Sequence, residues 1–158
     1  MNRGVEQGTG RQPDPYELAR FVEAQEGVYE QALAELRAGR KESHWMWFIF
    51  PQFEGLGSSE TSRRYAIRSL DEAGAYLRHP LLGARLIECT ELVNGLHGLS
   101  AEQIFGTPDD RKFRSSMTLF ELVVGPESPF ASALETYFSR ERDARTIELV
   151  RLASKGAR

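Results

Sequence analysis

The chain has 158 residues, 41% of them hydrophobic and 27% charged, with a formal net charge of −3. A chain of this length buries ~70% of its unfolded surface in one core without a metal or disulfide, and this one is too apolar to be a disordered chain. Its basic residues are spread along an acidic background, which excludes a phosphate-tracking nucleic-acid surface, and no apolar run approaches the ~20 residues of a membrane span.

The single cysteine, Cys89, permits no intrachain disulfide and fits a reducing compartment. The start, MNRGVEQGTGRQPD, lacks the apolar stretch of a secretion signal, so the expected location is cytoplasmic. Oligomeric state is left open. Residues 1–13 have almost nothing to bury and read as a disordered N-terminal tail. Residues 14–153 read as a single helical domain, and residues 154–158 as a C-terminal tail.

In chain order, Asp14, Pro15 and Glu17 form a helix start, followed by Leu18, Phe21, Val22 and Gln25 at helical spacing. Val28, Tyr29, Ala32, Leu33 and Leu36 continue the period, as a second helix or an extension past Gly27, up to a stop at Gly39. The aromatic block SHWMWFIFPQFEG, residues 43–55, reads as a short buried helix ended by Pro51. A lone strand there would have no partner.

EGLGSSETS reads as a turn. Ser69 and Glu72 make a capping box before LDEAGAYLRHP, and Pro80 opens a longer helix with Leu82, Leu86, Cys89 and Val93 on one stripe. Ser100 and Gln103 repeat the capping spacing. Thr107 and Pro108 start DDRKFRSSMTLFELVV, which stops at Gly125, and Ser128 and Pro129 start FASALETYFS. A last segment runs from about Asp143 to Leu152, with Ile147 and Val150 facing in. The sum is an all-α, compact single domain of about seven or eight short helices.

Little familiar catalytic grammar is present. His44, His79 and His97 are scattered and no HExxH or paired-cysteine spacing exists, so no metal is expected. Ser115 and Ser116 lie inside a helix pattern, not on a nucleophile elbow, and GLGSSE lacks the lysine of a P-loop. Cys89 has apolar and acidic neighbours and reads as an inert thiol. His79, before Pro80, reads as a helix-start residue.

The helix beginning at Asp109 carries more information. At 100° per residue Phe113, Met117, Phe120 and Val124 form its core stripe. Asp109 and Ser116 fall on that stripe and Lys112 on its flank. Buried polar groups need partners. One reading is structural: Asp109 or Asp110 caps the helix, Asp110 pairs with Arg114, Ser116 is a small residue at a tight crossing, and the aromatic block is core.

The other reading sets Asp109, Lys112 and Ser116 across a pocket from the aromatic block. There His44 titrates near neutral pH, Trp45, Trp47 or Phe48 offers a flat wall, and Gln52 offers a paired donor and acceptor. The tryptophans are two residues apart, so at most one of them lines a given pocket. Such a pocket suits a planar polar ligand stacked on an indole.

AGRKESHWMWFIFPQ, RYAIRSLDEAGAYLRHPLLGARLIECTELV and IFGTPDDRKFRSSMTLF, in that order, resemble the bacterial domain-of-unknown-function eighteen-ten family, from about Asp14 to Val150. The resemblance implies an all-α fold. It also singles out His44, Trp45, Trp47, Phe48, Pro51, Gln52, Tyr65, Asp109, Asp110, Lys112, Ser115, Ser116 and Thr118. Arg111 stands where an aliphatic residue is expected, at a position pointing away from the core stripe. Some relatives carry the label calpastatin, a disordered inhibitor's name that a compact helical chain does not support.

The expected function is therefore binding of a small nucleotide-like or anionic metabolite between the His44–Gln52 segment and the Asp109–Thr118 helix. Trp45, Trp47, Gln52, Tyr65, Lys112, Ser115 and Ser116 are its candidate ligand-binding residues, and no cofactor is implied. Chemistry at a glycosidic bond would use His44 as proton carrier and Asp109 or Asp110 as base or cation stabiliser. The alternative is a non-catalytic adaptor that presents the aromatic block as a hot spot.

Overall fold

The structure is a computed structural model and describes residues 13–156. The expected N-terminal tail falls almost entirely outside that range. The described residues form helices α1 (Ala19–Glu26), α2 (Tyr29–Arg37), α3 (Met46–Ile49), α4 (Glu60–Arg64) and α5 (Leu70–Arg78). They continue with α6 (Leu82–Asn94), α7 (Ala101–Phe105), α8 (Asp109–Val124), α9 (Pro129–Phe138) and α10 (Ala144–Gly156). The all-α class holds, but with ten helices among the described residues instead of seven or eight. One of them, α4, lies in the stretch read as a turn: the Ser59 hydroxyl accepts from Ser62 N–H and closes five residues of which none is buried.

Local start and stop signals produce most of these ends. Gly39, at φ 78°, lets its own N–H reach the Leu36 carbonyl and that of Arg40 the Glu35 carbonyl, each at 3.0 Å, which terminates α2. Ser100 and Gln103 cap each other across the start of α7, and Ser128 caps α9 ahead of Pro129. Asp14 caps at one remove: a turn intervenes, and its carboxylate takes the Leu18 and Ala19 N–H groups at 2.7 and 3.0 Å.

The Ser69–Glu72 box forms only in half. Ser69 accepts from Glu72 N–H, while Glu72 turns to the Arg68 N–H and to Arg20.

Helix α8 is the spine, packed against α5, α7, α9 and α10, with α6 bracing α5 and α9. Phe113 and Met117 on its inner face are fully buried, and Phe113 stacks on Phe105 at 4.6 Å and meets Phe50 edge-on at 5.0 Å. Two expected inward residues are not buried. Val124 is 49% exposed, where α8 runs out of partners just before Gly125, and Ile147 is 38% exposed on α10, which lies on α8 along one side only. No helix among the described residues is long and apolar enough to cross a membrane.

Candidate functional site

The site begins with Glu35, a buried carboxylate on α2. Its oxygens accept from the N–H groups of Glu42 and Ser43 at 2.8 and 3.0 Å, from Gln31 at 2.8 Å, from the Ser43 hydroxyl, and from the Trp45 indole N–H at 2.8 Å. Burial alone would raise its pKa. The Glu42, Ser43 and Gln31 donors outweigh that and bring it down to about 2. One side chain thus pins the whole loop from α2 to α3.

That anchor decides which tryptophan is available. Trp45, 1% exposed, is drawn into the core by Glu35. Trp47, two residues on, points out of the same helical turn and is half-buried. The far side of α3 is held by Gln25, whose amide donates to the Phe48 carbonyl at 2.7 Å.

Facing α3 is the first turn of α8. Asp109 takes Lys41 Nζ at 2.7 Å on one oxygen and Lys112 Nζ at 3.4 Å on the other. Lys41 is buried and also donates to the Ser43 carbonyl at 2.5 Å, so its charge is matched locally. Lys112 is more open and rests over the Trp47 ring, 4.9 Å from its centroid.

Two cavities meet at this contact. The smaller, about 270 Å³, is lined by Lys41, His44, Trp47, Phe105, Asp109 and Lys112, among others. The larger, about 400 Å³, is lined by Trp47, Gln52, Ser58, Arg111, Lys112 and Ser115, with the neighbouring turn. Trp47, Pro108 and Lys112 belong to both.

Residues 15–150 match the protein family described as "Protein of unknown function (DUF1810)". The chain belongs to the DUF1810 family. Among solved structures it is similar to the conserved hypothetical protein Rv1873 from Mycobacterium tuberculosis, with 54% identity and a TM-score of 0.86. That match covers 87% of this chain and 99% of the mycobacterial one. No curated protein matches it.

In this DUF1810 chain the expected site residues divide. His44, exposed at the rim, shares the smaller cavity with Trp47, Asp109 and Lys112, while Gln52 and Ser115 are in the larger one. Tyr65 stands behind them, edge-on to Phe48 at 4.8 Å, and lines with Trp47 and Gln52 a hollow of about 10 Å³. Trp45, Asp110 and Ser116 line neither main cavity.

Asp110 accepts from the Arg111 N–H at 2.9 Å and not from Arg114, which pairs with Glu141. Pro108, and neither aspartate, occupies the N-cap of α8. Ser116 is fully buried, and its hydroxyl has no partner among the described residues.

Three contributors lie outside the expected site residues. Glu35 sits near the end of α2 and Lys41 in the loop that follows it. Arg111 was visible as a departure from the family pattern. Its position away from the core stripe is what carries it to the larger cavity.

Proposed function

We propose that this chain binds a small, flat, anionic metabolite of nucleotide-like character in the groove walled by Trp47. The observation that carries this reading is the half-buried indole shared by two cavities and overlain by the Lys112 ammonium. A π-face and a cation side by side suit a ring bearing a negative group, and each cavity is close to or within the ~300–1,000 Å³ of small-molecule sites.

The geometry favours binding over cleavage of a glycosidic bond. A base or cation stabiliser needs a carboxylate oxygen turned to the reacting carbon, and both oxygens of Asp109 are matched by lysines. Its role in this reading is to hold Lys41 and Lys112 in place, with the His44 imidazole at the rim. The adaptor reading needs an exposed aromatic patch. The exposed large hydrophobic side chains among the described residues, Ile87, Leu122, Val124, Ile147 and Leu152, all lie outside residues 43–55.

Tryptophan fluorescence tests the proposal directly, because the chain has two tryptophans and only Trp47 faces the groove. AMP, ADP-ribose and NAD are titrated into the wild type and Trp47→Phe. A saturable change with at least one compound, lost in the variant while Trp45 still emits, is the expected result. No saturable change with any of the three would refute it.

A further inference from the structure

The two cavities that share Trp47, Pro108 and Lys112 differ in chemistry, and the difference gives a ligand lying across them a direction. The larger cavity has Arg111 and Lys112 on its lining and no carboxylate, in a chain whose 23 acidic residues outnumber its 20 basic ones. The Arg111 side chain is exposed and makes no ion pair or hydrogen bond with the described residues. Its guanidinium is thus open to the bidentate contact that phosphate oxygens favour. Ser59 and Ser62 line the same cavity, but their hydroxyls serve each other and their own turn. Arg111 and Lys112, with the Gln52 amide and the Ser58 hydroxyl beside them, are therefore what an anion would meet.

The smaller cavity is the opposite case. Met46, Phe105 and Trp47 give it apolar walls, while its acid, Asp109, opposes an incoming anion and already neutralises the buried Lys41. Its two lysines, Lys41 and Lys112, both pair with Asp109, and its other polar side chains, His44 and Thr107, suit the edge of a heterocycle more than a phosphate. Lys112, at the junction, is within reach of both halves.

We infer that the two cavities are one bipartite site for a nucleoside phosphate, with the phosphate in the larger cavity on Arg111 and Lys112 and the base in the smaller one against Trp47. This rests on the reading of the Trp47 groove as a ligand site, and it adds the ligand's class and orientation.

Calorimetric titration of the full chain with AMP, adenosine and inorganic phosphate tests it, using wild type and Arg111→Gln. Arg111 is exposed and supports nothing else, so the variant is expected to fold, which circular dichroism verifies. AMP should bind at least about tenfold more tightly than adenosine, phosphate should compete with AMP, and Arg111→Gln should weaken AMP about tenfold without changing adenosine. Raising NaCl from about 50 to about 500 mM should weaken AMP and spare adenosine. Equal binding of AMP and adenosine, unchanged in Arg111→Gln, would overturn the orientation while leaving the groove a ligand site. No heat from AMP or adenosine at any concentration, together with a silent Trp47, would overturn both.

Discussion

The Trp45 indole N–H donates to Glu35 at 2.8 Å, and this one bond separates two tryptophans that the sequence presents as near equals. Trp45 is locked into the core, and Trp47 is left on the wall of the groove. The two should answer mutation differently. Trp45→Phe removes a buried donor and leaves a void beside Glu35, at a cost of about 2–3 kcal/mol in urea denaturation. Trp47→Phe should cost under about 1 kcal/mol and abolish the ligand-dependent fluorescence change. Equal destabilisation by both would mean that Trp47 is as structural as Trp45.

Glu35 makes the stability of that arrangement pH-dependent. Its pKa falls from an ordinary 4.5 to about 2 on folding. A depressed carboxyl stabilises the fold above its unfolded pKa, and the contribution fades as pH drops from about 4.5 towards about 2. Solvent close to the carboxylate screens part of this, which leaves on the order of 1–2 kcal/mol. Denaturation midpoints of the wild type should therefore fall steeply below pH 5. Glu35→Gln should be weaker at pH 7 and flatter over the same interval. Parallel curves for the two proteins would show that the acid sensitivity lies elsewhere.

Much of this was legible because it is written locally. Ser100 with Gln103, Ser128 with Pro129, and the stops at Gly39, Gly125 and Pro51 each act within about one turn, so the order of the main helices could be read from the letters. The short α4 could not, since GSSETSRR has no apolar period and its cap looks like turn chemistry. Nor could the composition of the groove. That at most one tryptophan faces a given pocket follows from helical spacing, but which one depends on a bond from α2. Lys41 reaches Asp109 only once the loop after α2 lies against the start of α8, and the letters around Lys41 do not announce that partner.

Asp109 offers a test that separates holding charges from performing chemistry. Asp109→Asn leaves buried Lys41 without its counter-ion, and should cost about 2 kcal/mol of stability. It also removes the one acid at the groove, so AMP should bind the folded variant about two- to fivefold more tightly by calorimetry. Binding reduced by a similar factor would mean that the carboxylate contacts the ligand itself.

Cys89 is the last group whose behaviour the fold dictates. It is fully buried in α6, and burial pushes its thiol up to about 12, with Tyr29 pulling the other way. Thiolate is the reactive form, so almost none is present at neutral pH, and the core blocks access besides. Ellman's reagent should leave the native protein unmodified at pH 8 and titrate one thiol per chain once urea unfolds it. The rate of the native reaction should then follow opening of α6, slowing when a ligand stabilises the fold and rising in Trp45→Phe. Rapid modification of the native chain, unaffected by either, would mean that Cys89 reaches solvent without unfolding.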